Sequence, residues 1–412
     1  MSRRVVITGM GAVTPIGNDT QSMWQSIKDG VCGIDKITYF DTADYKVKLA
    51  GQVKDLDTDK YFEKRELKFK YKFTRIARIC AKSAVEDARL DFAKEDMNRV
   101  GVIVGSGIGG IQSIETAQQN LEQKGPGRVS PFFIPMALVN LAAGNIAIDT
   151  GAKGVCYSCV TACAAGTNAI GESFHKIRDG YTDVMICGGS EAAITPLAIA
   201  GFQSMRALHT GDDKNRASIP FDRQRSGFVM GEGAGILILE ELEHAQKRNA
   251  KIYAEIVGYG STCDAFHITS PLEDGSGGAQ AMTDALADAG LDYTQIDYIN
   301  AHGTSTPLND KTETAAIKLA FKEHAYKLCV SSTKSYMGHL LGASGAVEAI
   351  ICAKALQEDL VPATINYSRP DENCDLDIVP NVCREKQLNY VMSNSLGFGG
   401  HNASIILKKW SE

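Results

Sequence analysis

Short runs of uninterrupted apolar residues recur along the chain, with longer, periodically apolar stretches between them. Residues 5–8, 100–104, 183–187 and 235–239 carry few polar side chains, which predicts strands buried on both faces. Residues 74–88 and 167–177 instead place apolar side chains at helical spacing. Further strands are expected over 296–299 and 403–407. Strands that alternate with helices predict an α/β fold.

The pattern also repeats loosely. Val160-Thr-Ala-Cys-Ala-Ala-Gly166 leads into an Ala-containing helical stretch, and Met337-Gly-His-Leu-Leu-Gly-Ala-Ser-Gly345 does the same much later, after the strand-like start of Val330-Ser-Ser-Thr-Lys334. Each is a turn of small residues bearing one reactive side chain before a helix. The polar stretch 240–251 separates the two copies. The expected organisation is two similar halves packed face to face, residues 1–250 with the cysteine and residues 251–412 with two histidines. A length of 412 residues is long for one compact core, in keeping with two units.

Composition narrows the function classes. A net charge of −6 gives no bulk attraction to nucleic acid. No apolar run approaches the roughly 18 residues of a membrane span, and the N-terminus reads as a strand rather than a secretion signal. The 11 cysteines are scattered and odd in number, which favours reduced thiols in the cytoplasm over a disulfide framework. Charge is locally uneven: Lys64, Arg65, Lys68, Lys70 and Lys72 are five cations within nine positions. They form either a solvated helix face or a docking patch for an acidic partner.

Four segments carry candidate chemistry. Cys163 sits among small residues where a helix should begin; free amides and the positive end of the helix dipole there favour a thiolate. Its neighbours Cys156 and Cys159 have redox or metal spacing, but no second ligand pair follows, so they read as core thiols. In Asn300-Ala-His-Gly-Thr-Ser-Thr306, His302 falls at a strand end, a usual catalytic position in α/β folds, and Thr304 and Thr306 offer hydroxyls to a substrate arm. In the third segment Lys334 and Glu348 are charges in an otherwise small and apolar stretch around His339, so each needs a partner if buried. The fourth, Ser393-Asn-Ser-Leu-Gly-Phe-Gly-Gly-His-Asn402, surrounds Phe398 with glycines and suits a gate or an amide donor. One lure is Gly105-Ser-Gly-Ile-Gly-Gly110, which satisfies a dinucleotide-binding pattern but lacks the second strand and its acidic end.

In this order, the Thr-Ala-Cys-Ala-Ala-Gly, Asn-Ala-His-Gly-Thr-Ser-Thr, Lys-Ser-Tyr-Met-Gly-His and Gly-Phe-Gly-Gly segments resemble the β-ketoacyl-[acyl-carrier-protein] synthases of the thiolase superfamily. The likeness runs over nearly the whole chain and is strongest to the synthase II group of bacterial type II fatty acid synthesis. It implies a five-layer αβαβα fold of two related halves, a homodimer, and no required cofactor. It implies an acyltransferase in which Cys163 carries an acyl thioester. His302 and His339 would stabilise the enolate from malonyl-carrier protein, Lys334 would tune the field, and the amides of Cys163 and Phe398 would form the oxyanion hole. Thr304, Thr306, Thr269 and Ser270 would bind the pantetheine arm, with Ile108, Phe133 and Phe202 around the acyl chain. Lys64, Arg65, Lys68 and Arg206 would dock acyl carrier protein. Asn300, Glu348, Ser393 and Asn394 match positions that hold a structural monovalent cation in relatives. Leu396 departs from the family, where many members have Phe before this loop. Thiolases need a second catalytic cysteine near the C-terminus, synthase III and chalcone-type enzymes replace one His with Asn, and chain-length partners lack the nucleophile.

Overall fold

The computed structural model describes residues 3–63 and 72–411. Among these residues ten strands join in one large sheet. The first half supplies β1 (Val5–Val13), β2 (Val100–Gly105), β3 (Cys156–Tyr157), β4 (Val184–Glu191) and β5 (Gly233–Glu241). The second half supplies β6 (Ala254–Cys263), β7 (Tyr298–Asn300), β8 (Cys329–Ser331), β9 (Tyr390–Gly397) and β10 (His401–Lys409). The principal helices are α1 (Lys72–Ala88), α2 (Leu141–Thr150), α3 (Ala165–Arg178), α4 (Ser276–Ala289), α5 (Pro307–Phe321) and α6 (Ser344–Glu358).

The two halves share one topology. Each runs strand–helix three times and then adds two strands. The sheet order is β8-β7-β9-β10-β6-β1-β5-β4-β2-β3. Reading outward from the middle, each half pairs antiparallel, antiparallel, parallel, parallel. The halves therefore do more than pack face to face. They are hydrogen-bonded edge to edge where β1 meets β6, with Val5 opposite Ile256 and Ile7 opposite Ala254. The boundary expected after residue 250 falls between the short helix Leu242–Lys247 and β6.

Strand periodicity sorts the side chains into layers. On β4, Val184 and Ile186 point to the core beneath α1 and α2, while Met185 and Cys187 point to the central helices. On β10, Ile405 and Leu407 face the central helices and Ile406 faces the core beneath α4 and α5. The layers are thus α1 and α2, the first half-sheet, α3 and α6, the second half-sheet, then α4 and α5. Strands covered on both faces explain the apolar runs in the sequence. The two residues of β3 differ: both are exposed at the edge, so Cys156 is not the core thiol expected.

The central layer is set by glycine. A Cβ at Gly345 would lie 1.9 Å from Thr167 Oγ1, and one at Gly166 would lie 2.8 Å from the Gly342 carbonyl oxygen. Only hydrogen at both sites lets the starts of α3 and α6 touch. Gly345→Ala should therefore cost about 1–3 kcal/mol through overpacking and lower the melting temperature. Gly144→Ala on α2, whose nearest neighbour would be 3.9 Å away, should leave it unchanged or raised. Thermal unfolding of the two variants side by side measures the difference.

Candidate active site

The contact between α3 and α6 places two equivalent turns together. Cys163 occupies the 3-10 turn Ala162–Ala164 that runs into α3. The turn Leu341–Ala343 runs into α6 in the same way. The first residue of each has a left-handed backbone, with φ of 48° at Ala162 and 49° at Leu341. Non-glycine residues adopt this region at a cost, which surrounding contacts must offset. Here Thr161 donates to Asn168 at 2.6 Å, and Asn168 donates to the Tyr259 hydroxyl at 2.6 Å, pinning the first turn. Gly397 also presses on it: a Cβ there would sit 3.2 Å from the Cys163 nitrogen. That approach brings the Phe398 amide to the Cys163 sulfur, which its own amide also faces.

His302 follows β7, and His339 lies two residues before its turn. Their rings meet edge to face with centroids 5.2 Å apart. The Cys163 sulfur and one nitrogen of each imidazole all lie within 4.8 Å of one another. His339 Nδ1 is 2.9 Å from Ser344 Oγ, which leaves Nε2 buried and without a partner among the described residues. The main chain holds both histidines. The amides of His302 and Gly303 donate to the buried Glu313 carboxylate, each at 2.7 Å. The His339 amide donates to the Val229 carbonyl at 2.7 Å, and its carbonyl accepts from Gly231 at 2.8 Å.

Lys334 is buried behind this trio and paired with Glu348. Burial, reinforced by the Lys334 charge, holds both imidazoles well below the ordinary histidine range, so both are neutral. Burial also pushes the Cys163 thiol up to about 12, against the pull of Lys334 and the two amides. The resting site is a neutral thiol beside two neutral imidazoles. The helix start alone predicted a thiolate; desolvation outweighs it. Burial pushes Glu313 up as well, to about 7, although two amides oppose it.

A cavity of about 540 Å³ opens above the trio. Cys163, His302, His339 and Phe398 line it, together with Thr304, Thr306, Thr269, Ser270, Ile108, Phe202 and Arg206. Among the described residues that line it, Cys163 is the sole cysteine. All eleven cysteines are free thiols, and Cys374 and Cys383, the C-terminal pair, lie elsewhere.

Two family descriptions match the chain: Beta-ketoacyl synthase, N-terminal domain, over residues 2–245, and Beta-ketoacyl synthase, C-terminal domain, over residues 253–368. The chain belongs to the β-ketoacyl synthase family. It is 53% identical over 409 residues to a Staphylococcus aureus protein named 3-oxoacyl-[acyl-carrier-protein] synthase 2, covering 99% of each chain. A Synechocystis protein of the same name is 52% identical over 409 residues, covering 99% of this chain and 98% of that protein. Among solved structures, the ishigamide ketosynthase/chain length factor is 35% identical with a TM-score of 0.94, all of both chains being covered. A type II PKS ketosynthase in complex with its acyl-carrier protein, AntDE:AntF, is 34% identical with a TM-score of 0.93, again over all of both chains. The thiolase-like αβαβα architecture of the family is the one found here.

Some expected site residues of this β-ketoacyl synthase lie apart from the cavity. Phe133 begins a five-residue helix, Phe133–Ala137, outside the cavity of its own chain. Lys64, Arg65 and Lys68 lie outside the described residues. Lys72, the last cation of that run, pairs with the buried Glu232 rather than standing in solvent. Asn300, Glu348 and Ser393 lie below the site, Asn300 opposite Ser393 in register. Asn300 Oδ1, Glu348 Oε2 and Ser393 Oγ are buried and have no partner among the described residues. Three such oxygens suit a hard cation. The fourth expected ligand, Asn394, uses its side-chain oxygen to accept from Ser404 at 2.8 Å.

Two residues that hold the site were not foreseen. Glu191, buried at the end of β4, accepts the Gly107 amide at 2.6 Å and those of Ile108, Gly109 and Gly342. The glycine-rich loop that mimics a dinucleotide site thus binds an internal carboxylate, where such a loop would hold a phosphate. Glu313 is the second. Glu191 draws its amides from segments far away in sequence, and only its small, apolar neighbours signal burial; Glu313 binds a loop ten residues before it, but from a polar helix start that gives no sign of burial.

A thiol this high makes a prediction. Alkylation of Cys163 in the resting enzyme should rise about tenfold per pH unit through neutral pH and show no plateau below pH 9. The rate of iodoacetamide labelling of the Cys163 peptide, followed by mass spectrometry from pH 6 to 10, measures it. A plateau reached by pH 8 would require a stable thiolate.

Proposed function

We propose that this β-ketoacyl synthase joins an acyl chain on Cys163 to a malonyl unit on acyl carrier protein, by decarboxylative Claisen condensation, lengthening a fatty acid by two carbons. The observation that carries the reading is the meeting of one thiol, two neutral imidazoles and two main-chain amides at the foot of one cavity. In the first half-reaction the Cys163 sulfur attacks the acyl thioester carbonyl. The thiol proton passes to an adjacent imidazole and on to the departing carrier thiolate. The oxyanion that forms sits against the amides of Cys163 and Phe398.

In the second half-reaction His302 and His339 donate to the malonyl thioester oxygen. Once the malonyl oxygen supplies the acceptor that His339 Nε2 lacks in the empty site, the tautomer with its proton on Nε2 is the one that donates, and the Ser344 hydroxyl then turns its hydrogen to Nδ1. The bond from the α-carbon to the carboxylate breaks, carbon dioxide leaves, and the electron pair becomes the enolate. That carbon attacks the acyl carbonyl and expels the Cys163 thiolate, which regains a proton. No strong base is needed, because decarboxylation supplies the carbanion. A thiolase would need a second cysteine in the cavity to move a carbon-bound proton; the described lining holds Cys163 alone.

Thr304, Thr306, Thr269 and Ser270 bind the pantetheine arm in this reading, while Ile108 and Phe202 hold the acyl chain. Lys64, Arg65, Lys68 and Arg206 dock the acidic carrier. Asn300, Glu348 and Ser393, with Asn394, hold a structural monovalent cation that stiffens the base of the site without entering the chemistry. The reaction itself needs no cofactor. Carrier-bound substrates and eleven free thiols support a cytoplasmic enzyme. No helix among the described residues is long and apolar enough to cross a membrane.

The partner of the edge strand β3 is a second copy of this chain. The unpaired edge is flanked by Ile148, 79% exposed, and Val160, 56% exposed, surfaces that a monomer leaves to water at a cost. Phe133 is then a wall that one subunit supplies to its neighbour's acyl pocket. Sedimentation should find a dimer at micromolar concentration, and Ile148→Glu should shift it toward monomer with reduced activity.

For the chemistry, Cys163→Ala should bring formation of the β-ketoacyl product from acyl- and malonyl-carrier protein down to background. Cys163→Gln should still release carbon dioxide from malonyl-carrier protein, since the histidines remain. Chromatography of the carrier species and trapping of labelled carbon dioxide report the two outcomes. Wild-type protein that makes no extended product with competent carrier would defeat the reading.

A further inference from the structure

The polar edge of the cavity extends beyond Thr304 and Thr306. Ser226 also lines it. Hydrogen bonds on either side fix Ser226 beside the two threonines: the Gly227 amide donates to the Ser305 carbonyl at 3.1 Å, and the Arg225 side chain donates from Nε to the Thr306 carbonyl at 3.1 Å. Exposure is graded along the row. Thr304 is buried, Thr306 half-buried and Ser226 exposed, so the three hydroxyls step from the catalytic chamber to its mouth. A flexible arm threaded from outside to Cys163 passes them in reverse order.

Behind Ser226 stands His209, with Nδ1 2.8 Å from the Ser226 oxygen. Its other ring nitrogen, Nε2, is buried without a partner among the described residues. The ring packs on Gly211, where a Cβ would lie 2.5 Å from Nε2. A buried N–H with no acceptor is rarer than a buried lone pair with no donor. The proton is therefore assigned to Nδ1, and His209 donates to Ser226. The serine oxygen is filled as an acceptor, and its own hydrogen is left to donate into the cavity. Burial keeps His209 below the ordinary histidine range, so this arrangement persists through neutral pH. The His209 backbone is fixed too, its amide donating to the Phe228 carbonyl at 2.9 Å.

We propose that Ser226, oriented by His209, is the outer binding residue for the carrier's prosthetic arm and donates a hydrogen bond to an oxygen in the arm's outer half. The inference rests on the ketosynthase reading above. The acceptor is an amide carbonyl or the phosphodiester, two sources of one chemistry. Ser226 acts on capture and placement of the arm, not on bond making.

Three malonyl thioesters of increasing arm length test this: N-acetylcysteamine, pantetheine and the full carrier protein, each with wild type, Ser226→Ala and Ser226→Thr. Ser226→Ala should raise KM for the carrier protein about fivefold, the worth of one hydrogen bond, with kcat nearly constant. The N-acetylcysteamine thioester, too short to reach the mouth, should show no such rise, and Ser226→Thr should restore the wild-type KM. A rise with pantetheine as well assigns the amide; a rise with carrier protein alone assigns the phosphate. An unchanged KM for carrier protein overturns the proposal. So does an equal loss on all three thioesters, which marks a structural role. Wild-type enzyme inactive on every thioester would instead defeat the ketosynthase reading.

Discussion

The site depends on how closely α3 and α6 can approach. Each helix begins in a three-residue turn with a left-handed first residue, and each turn carries chemistry on or just before it. Gly166 and Gly345 remove the side chains that would hold the helices apart. The duplicated topology then superposes two equivalent positions in space, so that a cysteine from one half faces a histidine from the other. His302 completes the trio from the end of β7, the parallel neighbour of both β8 and β9. Duplication thus explains why a thiol and two imidazoles so far apart in sequence share one chamber.

The chamber's electrostatics follow from its depth. Ionised groups are disfavoured there unless paired, and the pairs are internal: Lys334 with Glu348, Glu191 and Glu313 with main-chain amides. What remains is an uncharged nucleophile between uncharged donors. Such a site does not hold a standing thiolate. It stabilises charge only as charge develops, first on the acyl oxyanion and then on the enolate, through donors already in position. The cost is a thiol that reacts slowly until a substrate carbonyl is present.

Much of this was legible in the chain. Fully apolar runs marked strands covered on both faces, and the two small-residue turns marked the duplication. Cys163, His302, His339 and Phe398 stood in motifs distinctive enough to be recognised. Other features depend on contacts that pattern does not encode. Cys156 read as core because no second ligand pair answers its spacing, yet β3 is a two-residue edge. Glu191 and Glu313 belong to no motif, and their burial against main-chain amides shows only in the folded chain. The state of Cys163 was misjudged because a helix start is visible in sequence and desolvation is not. Phe133 shares no cavity with Cys163 in one chain, and its acyl-pocket role belongs to the proposed dimer.

The account stands on Cys163 as the atom that holds the growing chain. Incubation with acyl-carrier protein and no malonyl donor, followed by proteolysis and mass spectrometry, tests this directly. The acyl mass should appear on the peptide containing Cys163, and disappear when malonyl-carrier protein is added. Acylation found instead on another of the eleven cysteines, such as the exposed Cys156 or Cys263, or on none, would contradict it.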